Sequence, residues 1–317
     1  MPVDPAIKAL LDNPTFDQPP ADWAHADDPI RTARMLHERK ARHFTLPADR
    51  ADVAGVSERT VTGPAGPVPV RIYRPQATGA VPVVLWLHGG GWMTGSLETG
   101  DIVARAVCAD LQAVVVSVDY RLAPEHPWPA GLDDAAAVLK WVATTRDLDV
   151  DRHRVVVGGD SAGGNLAAAL AVRSATGVGP ALAAQLLLYP AVDLNPDPTR
   201  YVSRTENATG YGLTLEDVRT AYITYLGGAD VGDWRVSPIL ATHRTHLAPA
   251  VIALAQYDPL RDEGRAYAEV LRAAAVPVVL HDGADLVHGC FDMIGTSCAA
   301  AEELNRVLTS VRELLQP

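Results

Sequence analysis

The stretch Val155-Val-Val-Gly-Gly-Asp-Ser-Ala-Gly-Gly164, continued by Asn165-Leu-Ala-Ala-Ala-Leu-Ala-Val-Arg173, decides the architecture. A β-branched apolar run stops at two glycines, a single serine follows, and an Ala/Leu-rich helix begins two small residues later. Gly159, Ser161 and Gly163 have the G-x-S-x-G spacing of a nucleophile elbow. So sharp a turn strains the backbone at the serine, and a Cβ two positions to either side would collide with the neighbouring strand or helix. It also lifts Ser161 Oγ clear of the sheet, above a helix N-terminus that favours developing negative charge. Any strand-to-helix turn favours Gly and Ser, so the motif needs partners elsewhere in the chain.

Working outward, the same strand-then-helix alternation recurs. Arg59–Thr62 and Val68–Tyr73 alternate in polarity around Gly-Pro-Ala-Gly-Pro and predict a hairpin. Val81–Leu87 is a nearly continuous apolar run, the pattern of a strand buried on both faces of a parallel sheet. Further strands are predicted at Ala113–Val118, Ala183–Leu188, Ala250–Ala255 and Pro277–His281. Helices are predicted at Asp101–Leu111, Gly131–Thr144, Leu260–Ala275 and Ser297–Leu315, the last with Leu304, Val307, Leu308, Val311 and Leu314–Leu315 on one stripe. Such alternation means an α/β fold with a mostly parallel sheet of eight strands. Two regions stand outside it. Residues 1 to about 50 are polar, with a weakly amphipathic helix near Asp28–Phe44, and read as a segment packed on a domain. Tyr189–Ser237 offers no strand, only a helix around Leu215–Leu226; an insertion there covers the carboxyl ends of the strands.

Composition narrows the function. With 317 residues the chain suffices for one elaborated domain, and 48% hydrophobic with 21% charged residues is ordinary for a globular protein. A formal net charge of −11 argues against nucleic acid and anionic membrane surfaces as partners. Cys108, Cys290 and Cys298 have no metal-ligand spacing, and their odd number fits a reducing compartment. Neither a signal peptide nor a long apolar run is visible, so a soluble, cytoplasmic protein without stable membrane insertion is expected.

A serine nucleophile needs oxyanion donors, a base and a carboxylate to orient that base. Donors are offered by His88-Gly-Gly-Gly-Trp92, directly after an apolar strand. Three glycines let the backbone approach a ligand, while the Lys and Ser/Thr of a phosphate loop are missing. His88 precedes the donors and reads as structural. Of ten histidines, His25, His37 and His43 fall in the N-terminal segment, His153 in a polar turn, and His243 and His246 in a polar connection. The base belongs on a loop after a late strand, which selects His288 over His281. Asp258 lies just off the end of the Ala250 strand, whereas Asp262 and Glu263 are explained by the dipole of the following helix. The order Ser161, Asp258, His288 is the one expected for this arrangement.

The chain resembles the hormone-sensitive-lipase family of α/β-hydrolases, especially its bacterial esterases. The likeness rests on His88–Trp92, Asp119-Tyr-Arg-Leu-Ala-Pro-Glu-His-Pro-Trp-Pro-Ala130, Gly159–Gly164, and Asp258-Pro-Leu-Arg-Asp-Glu263 followed by His288-Gly289. It implies an α/β-hydrolase fold with a helical cap made of residues 1–50 and the 189–237 insertion, on a catalytic domain of residues 51–317. It implies a serine carboxylesterase acting on short- to medium-chain acyl esters. Ser161 would be the nucleophile, His288 the base and acid, Asp258 its orienter, and backbone N–H of Gly90, Gly91 and Ala162 the oxyanion donors. Tyr120, Arg121, Glu125 and His126 would form a structural polar network. The partner implied is a small-molecule ester; no cofactor or metal is required, and a homo-oligomer is compatible with this reading. Two departures from the family pattern are Cys290, where a large aromatic is usual and one pocket wall is expected to change, and a longer approach to the histidine through Gly283–His288. Hydrolysis of another acyl bond (amide, lactone or carbamate) shares the triad. A non-catalytic hormone receptor on the same fold lacks the base that His288 supplies.

Overall fold

The computed structural model describes residues 2–13, 16, 28–47 and 53–316. His25, and the parts of the N-terminal segment at 17–27 and 48–50, lie outside them. In chain order the elements are α1 (Pro5–Leu11), α2 (Pro29–His43), β1 (Gly55–Gly63), β2 (Gly66–Arg74), β3 (Val81–Leu87), α3 (Asp101–Leu111), β4 (Val114–Val118), α4 (Ala130–Thr144), β5 (Val150–Asp160) and α5 (Ala162–Arg173). They continue through β6 (Ala184–Leu188), α6 (Val202–Glu206), α7 (Leu215–Leu226), β7 (Ala250–Tyr257), α8 (Arg261–Ala273), β8 (Val278–Val287) and α9 (Cys298–Leu314).

The eight strands form one sheet in the order β1-β2-β4-β3-β5-β6-β7-β8. β1 and β2 pair antiparallel, β2 joins β4 antiparallel, and every pairing from β4 to β8 is parallel. Strands β3, β4 and β6 are buried along their whole length, as their unbroken apolar sequences require. Alternate side chains of these strands feed two cores. Val83, Leu85 and Leu87 join α4, α5 and α8 on one face, and Val84 and Trp86 join α3 and α9 on the other. The α9 stripe packs as its spacing predicts, with Leu304, Val307, Leu308 and Val311 fully buried.

Three boundaries differ from expectation. β5 begins at Val150, so His153 lies in a strand and not in a turn. The hairpin strands run longer, pairing Gly63 with Gly66 across Pro64-Ala65. β8 continues to Val287: Ala255 pairs with Gly283 and Tyr257 with Val287, so two extra residues bulge from β8. The longer approach to His288 is thus absorbed within the sheet edge.

The 189–237 insertion carries α6, a five-residue helix too short to show a period, and α7, whose Thr214 and Asp217 form a reciprocal capping box. It is anchored by a buried ion pair. Arg204 on α6, 1% exposed, donates to Glu263 Oε2 at 2.7 Å and to the carbonyl of Asp193 at 2.9 Å. Glu263 Oε1 accepts the N–H groups of Val192 and Asp193 at 2.9 and 3.3 Å. Glu263 is therefore not an exposed helix-dipole residue but a fully buried tie between α8 and the insertion. Burial pushes its carboxyl up to about 7, while Arg204 opposes that shift. Replacing Glu263 by Ala strands the Arg204 charge, and denaturant unfolding is expected to show a loss of about 3–5 kcal/mol. An unchanged midpoint would mean that the pair stabilises nothing.

Candidate active site

Three strand ends deliver the three expected side chains: β5 leads into Ser161, β7 into Asp258 and β8 into His288. All are carboxyl ends of parallel strands, where such sheets place their ligand crevice. Ser161 has φ 54° and ψ −116°, a conformation rare for a side-chain-bearing residue. It is held by hydrogen bonds from its N–H to Leu188 O (2.9 Å) and to its own carbonyl from Asn165 and Ala191. The flanking glycines are sterically obligatory. A Cβ on Gly163 would lie 1.9 Å from Leu87 O, and one on Gly159 would lie 2.5 Å from Gly163 O.

His288 Nε2 is 2.8 Å from Ser161 Oγ, and its Nδ1 is 2.8 Å from Asp258 Oδ2. Asp258 is fully buried, and its other oxygen accepts Leu260 N–H at 2.8 Å, which fixes the carboxylate plane. The insertion reaches this loop too, since Asn207 Nδ2 donates to Asp258 O at 3.1 Å. Tyr189 packs its ring 4.7 Å from that of His288 and stacks on Phe291.

Opposite the serine, Gly90 (φ 115°) and Gly91 (φ 59°) turn the loop after β3. The N–H groups of Gly90, Gly91 and Ala162 make no hydrogen bond among the described residues, and all three residues line one cavity with Ser161 and His288. That cavity, about 660 Å³, runs beneath α2 and α7.

His88 and His281 do not touch Ser161 or Asp258. His88 is buried, stacks on Tyr120 at 4.4 Å and lies 2.8 Å from Gly89 O; burial pushes it down to about 4, so it stays neutral. His281 meets Ser310 and Glu303. Tyr120 donates to His88 O, Arg121 pairs with Asp134, and Glu125 pairs with Arg34, so this motif braces the glycine loop. His126 enters through its backbone, donating to Leu122 O.

Cys290 is corrected by the structure. It is 1% exposed in the core beside α9 and does not line the cavity, so it reshapes no pocket wall. Among the lining residues that carried no sequence signal are His37, Thr94 and Asp292. Asp160, inside the elbow motif itself, also lines the cavity, and its Oδ1 accepts Gly89 N–H at 3.0 Å. Burial pushes Asp160 up to about 6, against the pull of His288, and burial together with Asp160 pushes Asp292 well above the usual carboxylate range.

A carboxyl whose folded-state pKa is raised favours folding while protonated and loses that contribution as pH rises toward the folded value. The Asp160→Asn variant keeps an oxygen for Gly89 N–H but cannot ionise. Its thermal midpoint is expected to match wild type near pH 4 and exceed it near pH 7. Equal midpoints at both pH values would show that Asp160 ionises in the folded protein without cost.

The sequence profile of the alpha/beta hydrolase fold family matches residues 84–292. The chain is 41% identical over 323 residues to carboxylesterase NlhH of Mycobacterium tuberculosis, covering 99% of this chain and 96% of that protein. It is 34% identical over 296 residues to an ethyl acetate hydrolase of Pseudomonas putida, covering 90% and 89%. Among solved structures, the hyperthermophilic esterase of the archaeon Pyrobaculum calidifontis superimposes with a TM-score of 0.88 at 35% identity, over 99% of both chains. With its eight-stranded sheet and its elbow, the chain belongs to the α/β-hydrolase fold family, in the hormone-sensitive-lipase-like group of esterases.

Proposed function

We propose that this protein is a serine carboxylesterase cleaving short- to medium-chain acyl esters in the cytoplasm through an acyl-enzyme. Ser161 Oγ attacks the ester carbonyl while His288 Nε2 takes its proton, and Asp258 holds the imidazole with Nδ1–H toward its carboxylate. The oxyanion is received by the N–H groups of Gly90, Gly91 and Ala162. The protonated His288 gives its proton to the departing alcohol, and the acyl group remains on Ser161. Water, deprotonated by the same histidine, then releases the acid and restores the serine.

The observation that carries this reading is the unbroken Asp258–His288–Ser161 contact line, 2.8 Å at each step, beside three N–H groups that have no partner among the described residues. The cavity supports the chain length: about 660 Å³ accommodates an ester of moderate size and not a long-chain triglyceride. The ethyl acetate hydrolase among the relatives is named for a short-chain ester. Cytoplasmic action is supported by Cys108, Cys290 and Cys298, which form no disulfide. We assign the cap to the N-terminal helices and the 189–237 insertion because both border the cavity.

The test is hydrolysis of p-nitrophenyl esters from acetate to long chains. Turnover is expected to peak at short to medium chains and to fall by about 10³-fold or more in Ser161→Ala and His288→Ala. Equal activity in either variant, or a preference for long chains, would overturn the assignment.

A further inference from the structure

The peptide unit joining Gly90 to Gly91 has one end in the cavity and the other in the loop. Its N–H, on Gly91, is among the three unpartnered donors. Its carbonyl, on Gly90, accepts Met93 N–H at 3.1 Å, Thr94 N–H at 2.9 Å and Thr94 Oγ1–H at 3.0 Å. Two adjacent glycines leave this plane free to rotate, so these hydrogen bonds are what fix it. Loading one end of an amide with donors also polarises it and strengthens the N–H at the other end.

The Thr94 hydroxyl is also 2.8 Å from Nδ1 of His37, on α2. A hydroxyl has a single proton. With that proton given to Gly90 O, the contact to His37 is completed only by Nδ1–H donating to Thr94 Oγ1. Burial pushes His37 down to about 4, so the ring is neutral near pH 7 and this tautomer leaves Nε2 without a proton. The donors then run in one direction, from His37 through Thr94 to the Gly90 carbonyl. One turn earlier on α2, Arg34 donates to Met93 O at 2.8 Å and to Ala123 O at 3.0 Å, and pairs with Glu125 through both terminal nitrogens. The helix thus grips two consecutive residues of the oxyanion loop.

We infer that His37 is a positioning residue for the hydrolysis proposed above. Through Thr94 it holds and polarises the Gly90–Gly91 peptide, so that Gly91 N–H is fully effective as an oxyanion donor only while α2 is docked. The inference rests on the esterase reading. Its own content is that a helix lying outside the sheet contributes to transition-state binding rather than merely roofing the substrate.

The experiment compares wild type with His37→Ala, His37→Gln, Thr94→Val and Thr94→Ser. It measures kcat and KM on p-nitrophenyl butyrate, inhibition by a trifluoromethyl ketone that forms an oxyanion adduct with the serine, and the thermal midpoint. His37→Ala and Thr94→Val are expected to lower kcat about tenfold with KM within about twofold, less than outright loss of a donor. Ketone affinity should fall in the same proportion, Thr94→Ser should keep most of the activity, and His37→Gln should restore part of it. Combining His37→Ala with Thr94→Val should cost little more than Thr94→Val alone, because both cut one line.

Undiminished kcat, a kcat loss with unchanged ketone affinity, or additive losses in the double variant would each overturn the role of His37. If Thr94→Val or His37→Ala fails to fold, comparing Thr94→Ser and His37→Gln with wild type decides the matter by the same parallel between kcat and ketone affinity. A folded wild type that hydrolyses no ester would instead remove the esterase reading, and this inference with it.

Discussion

The carbonyl oxygen of Leu87 sits where a Cβ on Gly163 would come to 1.9 Å and one on Gly159 to 2.6 Å. Through this contact the end of β3, the end of β5 and the first turn of α5 approach more closely than any side chain permits. The loop leaving Leu87 carries Gly90 and Gly91, and the turn leaving Gly159 carries Ser161. One steric constraint therefore sets the spacing between Ser161 and the N–H groups of Gly90 and Gly91. In the hydrolysis proposed above, donors fixed in this way would need no rearrangement as charge develops, which is usually the largest electrostatic contribution at such a site.

That arrangement is costly locally. Ser161 is held at positive φ, and Asp160 and Asp292 are carboxyls in surroundings that resist their ionisation. The surrounding sheet, with β3, β4 and β6 buried throughout, provides the stability that maintains these unfavourable groups. The insertion is tied in a similar way: Arg204 and Glu263 are buried charges that are tolerable only together.

Much of this was legible in the sequence, for identifiable reasons. The strands β3, β4 and β6 announce themselves by unbroken apolar runs, and Gly159–Gly163 by a spacing only a sharp turn requires. Asp258 and His288 could be located because each follows a strand that the periodicity reveals. What escaped was long-range and polar. Arg204 and Glu263 are 59 residues apart, as are Arg34 and Met93, and His37 lies 57 residues from Thr94; none of these pairs leaves a periodic trace. The two-residue bulge in β8 escaped for another reason, since register depends on the neighbouring strand and not on the strand's own residues. Cys290 was misjudged because position next to the histidine does not fix direction; it is Phe291, one residue on, that stacks on Tyr189.

Helix α2 has no fully buried residue, and it is tied to the loop and to Glu125 by polar contacts. Detaching it would expose Ala33, Leu36 and Ala41, which line the cavity, a smaller apolar surface than the two cores of the sheet, and water would replace the hydrogen bonds it gives up. Such a release has a small heat-capacity change and little sensitivity to urea, unlike the melting of the sheet. A release of this kind is a sub-global opening, which costs less free energy than complete unfolding. Helix α2, which lines the cavity, can therefore be released without unfolding β3, β5 and α5, and such a release opens a path between the cavity and the surrounding water.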